Sequence, residues 1–177
     1  MRLINVRSMK MEEFFGDSIP SYVILSHTWT AQEISFQDYM WLQNYDEEVE
    51  EGVIEELPSK QRARVVAKAA ELRRRSGHSK ILNFTRLAKE RLSFRQPESF
   101  PSTTYKPTVY VWVDTCCINK ESSAELSEAI NSMFKWYKDS KHCVAFLSDV
   151  SGPGEITKGR WFTRGWTLQE LRPRPNR

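Results

Sequence analysis

Apolar residues along the chain fall into short, uninterrupted runs that end abruptly in polar residues. The clearest run is residues 109–113 at the start of VYVWVDTCCIN, and YVIL at residues 22–25 is the second. β-branched and aromatic residues without alternation are typical of strands that are covered on both faces in a parallel sheet. Residues 3–6 and 143–147 are shorter runs of the same kind. The pattern therefore predicts four strands.

Helical periodicity separates these strands. Between residues 126 and 137 apolar side chains recur at three- and four-residue spacing, after Ser122 and Glu125 in a capping-box arrangement. A strand, a helix and a strand with short connections favour a right-handed parallel unit, so the predicted fold class is α/β. The remaining predictions are a helical turn at 11–15, a short helix from 36, an acidic loop at 46–56, helices at 60–75 and 81–92, and a loop at 93–107.

Composition is typical of one ordinary globular domain. The chain has 177 residues, and 26 basic side chains against 23 acidic ones give a formal net charge of +3. This charge is too small to indicate a specific nucleic-acid partner. No apolar run is long enough to span a bilayer, and the first ten residues lack the core of a secretory signal. Three cysteines fit a reducing compartment, so we expect a cytoplasmic protein without a membrane span.

Polar and aromatic side chains follow two of the predicted strands. Ser26, His27 and Trp29 come after the strand at 22–25, and Asp114 comes after the strand at 109–113. The carboxyl ends of parallel strands line the ligand crevice of an open α/β sheet, so these four are candidate binding residues. The structural alternatives are a turn cap for Asp114 and a satisfied buried histidine for His27.

The cysteines support two weaker hypotheses. A Cys/His hydrolase would need a histidine beside Cys116 or Cys117, and nothing in the spacing requires one. A zinc site would combine Cys116 and Cys117 with His142 and Cys143, but adjacent pairs lack the usual C-x₂₋₄-C separation of zinc ligands. We therefore predict no metal site and a packing role for the two adjacent thiols.

The C-terminal stretch RWFTRGWTLQEL contains a chemically suggestive pair. Trp166 and Glu170 are four residues apart, so they share one face of a helical turn, for which Thr163 is a candidate N-cap. An indole beside a carboxylate suits a cationic ring or a developing oxocarbenium ion. The structural alternative is that Trp161 and Trp166 belong to the core and Glu170 is solvated.

Together these segments resemble the successive blocks of the fungal heterokaryon-incompatibility (HET) domain. The blocks are YVILSHTW with ISFQDY, the stretch from VYVWVDTCCIN to FKWY, HCVAFLSDV, and RWFTRGWTLQEL, and they cover residues 2–171 in order. The chain also resembles the start of vegetative incompatibility proteins, in which such a domain precedes a nucleotide-binding switch and repeats. We expect a HET domain at 1–172, a short tail at 173–177, and helical and loop insertions at 46–75 and 93–107.

The resemblance implies a fold and a biological role. HET domains are considered distant relatives of Toll/interleukin-receptor (TIR) domains, which implies a flavodoxin-like, mostly parallel sheet flanked by helices. It also implies programmed cell death signalling in fungal nonself recognition, a form of innate immunity. The partners it implies are further copies of the chain in an oligomer and an NLR-type or other incompatibility protein.

The resemblance further implies chemistry on NAD+. Some TIR domains cleave NAD+ with a glutamate four residues after a tryptophan, a spacing that Trp166 and Glu170 match. On this hypothesis NAD+ is the substrate of a glycohydrolase, no cofactor is tightly bound, and Glu170 is the catalytic residue. The candidate NAD+-binding residues are Ser26, His27, Trp29, Asp114 and Trp166. The competing hypothesis is a non-enzymatic protein–protein interaction module.

Overall fold

The computed structural model describes residues 1–91, 109–165 and 167, and in this part of the chain five strands form one sheet. The sheet has the spatial order β2-β1-β4-β3-β5. Its strands are β1 (Arg2–Asn5), β2 (Met11–Glu13), β3 (Tyr22–His27), β4 (Tyr110–Val113) and β5 (His142–Phe146). All four strands predicted from the sequence are present, and the α/β class is confirmed.

Parallel and antiparallel pairs occupy different halves of the sheet. β3 is parallel to both of its neighbours, with Val23 opposite Val111 of β4 and Ser26 opposite Ala145 of β5. β1 is antiparallel to β2 and to β4. Along the chain β3, β4 and β5 are the first, second and third parallel strands, and their order in space is 2-1-3. The strand order of a flavodoxin-like sheet, 2-1-3-4-5, begins in the same way. The parallel arrangement expected from the sequence therefore holds for β4, β3 and β5.

The N-terminal hairpin corrects one prediction. Residues 11–15, expected to form a helical turn, instead contain β2, and Leu3 of β1 lies opposite Glu12. Met9, in the left-handed region at φ 57°, lies between the two strands. The Glu12 carboxylate accepts hydrogen bonds from Asn5 Nδ2 at 2.8 Å and from Tyr110 Oη at 2.9 Å. These cross-strand bonds outweigh the weak helical pattern of so short a segment.

Helices pack around this sheet, and the first four follow one another through short connections. They are α1 (Phe36–Glu50), α2 (Val53–Glu56), α3 (Ser59–Arg74), α4 (Ser76–Arg91), α5 (Asp114–Cys117) and α6 (Ser123–Asp139). Single 3₁₀ turns lie at Gly16–Ser18, Pro153–Lys158 and Arg160–Thr163. None of the helices in the described part of the chain is both long and apolar enough to cross a bilayer.

Helix α1 is longer than the sequence predicted. It begins at Ser35, whose Oγ accepts a hydrogen bond from the backbone N of Asp38 at 3.1 Å. The helix then continues into the acidic stretch that was predicted as a loop, which α2 also enters. That prediction was wrong because distant basic residues neutralise the acids: Arg73 pairs with Asp46, and Lys10 pairs with Glu47 at 2.8 Å.

Trp112 joins the sheet to α6. Its side chain is fully buried, and its ring makes edge contacts with Trp136 and Tyr137 of α6 at centroid distances of 5.6 and 6.0 Å. Successive strand residues point to opposite faces of a sheet, so the buried Val111 and Val113 face away from α6. The helix predicted from Ser122 to about Lys138 is therefore confirmed as α6, and Trp112 of β4 packs it against the sheet.

The start of α6 forms half of the predicted capping box. Ser122 Oγ accepts a hydrogen bond from the backbone N of Glu125 at 3.4 Å. The Glu125 carboxylate accepts from the backbone N of Asn119 at 2.8 Å and also binds the Arg2 guanidinium. Glu125 therefore fixes the connection between α5 and α6.

Gly77 allows α4 to approach the loop before α1. Its backbone N donates to Gln32 O at 3.0 Å, and a Cβ at this position would lie 2.6 Å from that oxygen and 2.7 Å from Glu33 Cα. We expect Gly77→Ala to lower the free energy of unfolding by about 1–3 kcal/mol, because backbone must move to make room. Urea denaturation measures the change. Gly154→Ala is the control, since its Cβ would meet nothing within 4 Å, and equal stability of the two variants would contradict the close packing.

Three sequence predictions fall on residues that lie outside the described part of the chain. They are the loop at 93–107, the pair formed by Trp166 and Glu170, and the tail at 173–177.

Candidate functional site

A cavity of about 520 Å³ opens at the carboxyl ends of β3 and β4. Thr28 and Trp29 follow β3, and Asp114 follows β4, so the two parallel strands supply its floor. Helix α6 supplies an apolar wall, which consists of Leu126, Ile130, Met133 and Tyr137. The other lining residues include Lys120, Arg160, Thr163 and Arg164. This is the edge of the sheet where the sequence predicted a binding site.

The indole of Trp29 is held at its edge and at its face. Its Nε1 donates a hydrogen bond to Asp114 Oδ2 at 2.8 Å, and Lys120 Nζ lies 3.5 Å from the ring centroid. Burial lowers the pKa of Lys120, and the negative charge of Asp114 partly opposes that effect. Trp29 as a residue is still 56% exposed, and its fixed indole lines the cavity.

His27 lies beneath the cavity floor, between two carboxylates. Its side chain is fully buried, with Nε2 3.6 Å from Glu33 Oε2 and 3.7 Å from Asp114 Oδ1. These distances are too long for hydrogen bonds. Within the described residues, neither ring nitrogen of His27 nor Asp114 Oδ1 has a hydrogen-bond partner. The imidazole is therefore held by packing, and its Nε2 lies between Glu33 and the floor residue Asp114.

Glu33 and Lys80 form an ion pair that is almost completely buried. Lys80 Nζ donates to Glu33 Oε1 at 2.5 Å, and the two side chains are only 6% and 13% exposed. The backbone N of Thr30 donates to the same oxygen at 3.0 Å. The sequence pattern did not predict this pair. The sequence did contain one indication of a buried lysine: Lys80 lies one helical turn before the buried Phe84, on the apolar face of α4.

The ionisation of Glu33 gives a pH-dependent stability. Burial favours the neutral acid, but the neighbouring His27 and the hydrogen-bonded Lys80 outweigh burial and lower the pKa of Glu33 from 4.5 to about 2. Since the pKa is lower in the folded state, the carboxylate stabilises the fold above pH 4.5 and this contribution is lost as the pH falls towards 2.

We expect the free energy of unfolding to fall by about 2 kcal/mol more in the wild type than in Glu33→Gln between about pH 6 and pH 3. Urea denaturation at a series of pH values measures both curves. Parallel curves for the two proteins would contradict the role assigned to Glu33.

The segment after β5 is anchored to the end of β3. Trp161 is buried, as one interpretation of the sequence predicted, and its Nε1 donates to Ser26 Oγ at 2.5 Å. Arg164 Nη1 donates to the backbone oxygen of His27. Thr167 Oγ1 donates to Trp161 O at 2.5 Å. Arg160, Thr163 and Arg164 therefore close one side of the cavity, and Trp161 and Arg164 bind the end of β3.

The predicted site residues take different positions in the structure. Trp29 and Asp114 line the cavity. Ser26 and His27 are buried below it and contact Trp161, Glu33 and Asp114 rather than open space. Trp166 and Glu170, as stated above, are not described. The cationic lining residues, Lys120, Arg160 and Arg164, were not predicted.

The adjacent cysteines lie under the floor as packing residues. Cys116 and Cys117 are buried, and burial raises the pKa of the Cys116 thiol, which disfavours the nucleophilic thiolate. Val113 N donates to Cys117 Sγ at 3.4 Å. In the described ranges, no group of three or more His, Cys, Asp or Glu side chains is arranged to hold a metal ion.

Comparison with known families identifies the region that contains this cavity. The family model described as heterokaryon incompatibility protein (HET) matches residues 22–155. The chain belongs to the HET family. The match begins at β3 and extends past β5, so the part of the chain that is shared with the HET family includes the cavity floor and the apolar wall of α6.

A curated relative supports the same membership. Vegetative incompatibility protein HET-E-1 of Podospora anserina is 36% identical over 166 residues. The alignment covers 86% of this HET chain and 9% of that protein, so the chain spans less than a tenth of the relative's length. No solved structure matches the chain.

Proposed function

We propose that this HET domain acts in heterokaryon incompatibility as a programmed cell death signalling domain, and that its oligomers cleave the nicotinamide–ribose bond of NAD+. Family membership and the name of the relative, a vegetative incompatibility protein, support the biological role. The observation that supports the chemistry is the cavity, where an indole, a carboxylate and cations surround a space with an apolar wall.

The cavity has the size and lining that a dinucleotide requires. Its volume of about 520 Å³ falls within the range of about 300–1,000 Å³ that is usual for small-molecule sites. Trp29 and the apolar side chains of α6 suit a planar ring, and Lys120, Arg160 and Arg164 suit phosphate oxygens. NAD+ contains both kinds of group.

A single carboxylate is enough for the proposed reaction. Nicotinamide leaves NAD+ as a neutral molecule and needs no general acid, so the main requirement is a negative charge that stabilises the cationic ribosyl transition state. We assign this role to Glu170. It follows the cavity-lining Arg164 by six residues in the sequence. Asp114 is already bonded to Trp29, so we assign Asp114 to holding the indole rather than to the reaction.

The test is nicotinamide release by the purified protein at high concentration, because the activity is proposed for oligomers. Glu170→Gln is expected to reduce the rate by about 100-fold or more, as for other groups that stabilise transition-state charge. Glu155→Gln is the matched control, since Glu155 is an exposed carboxylate in the same C-terminal region. Unchanged activity in Glu170→Gln would remove the proposed role.

Cell death separates this proposal from a non-enzymatic interaction module. If overexpressed Glu170→Gln protein still kills cells while releasing no nicotinamide, the death signal comes from protein–protein contacts. If Glu170→Gln abolishes both nicotinamide release and killing while the protein remains folded, the enzymatic proposal is supported.

A further inference from the structure

We infer that Lys120, Arg160 and Arg164 form a phosphate-binding cluster that holds the diphosphate of an ADP-ribose-containing ligand. The inference rests on the proposed function and names the part of the dinucleotide that these side chains recognise. It concerns residues that line the cavity around the floor formed by Trp29 and Asp114.

The lining of the cavity has an excess of positive charge. Lys120, Arg160 and Arg164 face one acidic side chain, Asp114, among the described residues that line it. One oxygen of Asp114 already accepts the indole hydrogen bond of Trp29. Cations in a partly enclosed, low-dielectric cavity attract an anion more strongly than the same cations on an open surface. Asp149 pairs with Arg160 from outside the lining, so the positive charge that remains is smaller, and the cavity favours an anionic ligand.

Lys120 is held in place without a carboxylate contact at its ammonium group among the described residues. Its Nζ lies over the Trp29 ring, 3.5 Å from the centroid, and the side chain is half-buried. Burial lowers the pKa of Lys120, which shows that its charged form is incompletely compensated in the protein alone. A phosphate beside it would supply the compensation.

The two arginines differ in how firmly their side chains are held. Arg164 donates to the backbone oxygen of His27, so its guanidinium is anchored at the cavity wall. Arg160 is 68% exposed and pairs with Asp149, with 3.4 Å between Nε and Oδ2. Planar guanidinium groups bind phosphate through paired N–H donors. We assign Arg160 to the outer phosphate contact and Arg164 to the inner one.

Calorimetric titration with ADP-ribose, inorganic pyrophosphate and adenosine tests the cluster. We expect Arg160→Gln and Lys120→Met each to weaken binding of ADP-ribose and pyrophosphate by roughly tenfold or more, the usual effect of losing a hydrogen bond to a charged group. Added salt should weaken the binding of ADP-ribose and of pyrophosphate to the wild type. Adenosine lacks phosphate, so the affinity for adenosine should change neither with the substitutions nor with salt.

Two further variants separate phosphate binding from a structural effect. Lys158→Gln removes an exposed lysine from the turn just before Arg160 and should leave the affinity for ADP-ribose unchanged. Asp149→Asn removes the negative charge beside Arg160, and the amide oxygen of asparagine can still accept the 2.8 Å hydrogen bond that the backbone N of Arg160 donates at this position, so the variant should keep or raise this affinity. If Asp149→Asn weakened binding as much as Arg160→Gln does, the effect would come from loosening the segment, and the inference would be overturned.

The outcomes also distinguish this inference from the proposed reaction. Absence of ADP-ribose binding at millimolar concentration, or equal binding by the wild type, Arg160→Gln and Lys120→Met, overturns the phosphate cluster even if nicotinamide is released. Binding of ADP-ribose that depends on these cations, with no release of nicotinamide from NAD+, supports the cluster and contradicts the cleavage reaction.

Discussion

Lys80→Met is expected to lower the free energy of unfolding by about 3–5 kcal/mol, because it leaves a buried carboxylate without its cation. Glu33 is only 13% exposed and accepts the Lys80 hydrogen bond at 2.5 Å. The nearest remaining basic side chain, His27, is 3.6 Å away and makes no hydrogen bond to the acid within the described structure. Urea denaturation at neutral pH, followed by circular dichroism, measures the loss.

Two comparisons make the Lys80 experiment specific. Lys89→Met changes an exposed lysine of the same helix and should alter stability by less than about 0.5 kcal/mol. The double variant Glu33→Gln/Lys80→Met removes the stranded charge and should regain most of the lost stability. If Lys80→Met were no less stable than Lys89→Met, the ion pair would not support the fold.

Trp112→Ala is expected to destabilise the protein by a similar amount, about 3–5 kcal/mol, because it opens a large hole in the core. Trp112 is fully buried and contacts Trp136 and Tyr137, so the substitution also removes ring contacts that pack α6 against the sheet. Thermal and urea denaturation measure the change. Since α6 forms the apolar wall of the cavity, affinity for ADP-ribose should fall in parallel.

Phe15→Ala is the control for this second experiment. Phe15 is an aromatic residue with 71% of its surface exposed, so its removal should have little effect on unfolding. Equal stability losses in Trp112→Ala and Phe15→Ala would show that Trp112 does not organise the packing between sheet and helix.

The elements that could be predicted from the sequence are those whose signal is local. β3 and β4 are continuous runs of β-branched and aromatic residues, and α6 has a capping serine followed by regular apolar spacing. β2 has only three residues, and its conformation depends on pairing with β1. The C-terminal part of α1 depends on Arg73, which is 27 residues away from Asp46. A short stretch of sequence around either element does not show which distant residues it will contact.

The same distinction applies to the site. Trp29 and Asp114 were predicted because strand ends in an α/β sheet converge at one edge, and the structure joins their side chains across 85 residues of sequence. Glu33 and Lys80 are separated by 47 residues and Arg164 and His27 by 137, so their pairing appears only in three dimensions. A lysine on an apolar helix face was the one local indication of a buried partner.

The helical hairpin of α3 and α4 has a consequence for any shortened form of this domain. It carries Lys80, and Gly77 allows it to sit directly on the loop of Glu33, so excising the hairpin would leave a buried acid without its cation next to the floor of the candidate site. A minimal version built on β1 to β5 and α6 should therefore replace Glu33 with glutamine from the outset. Without that change, truncation would damage the very region that it was meant to isolate.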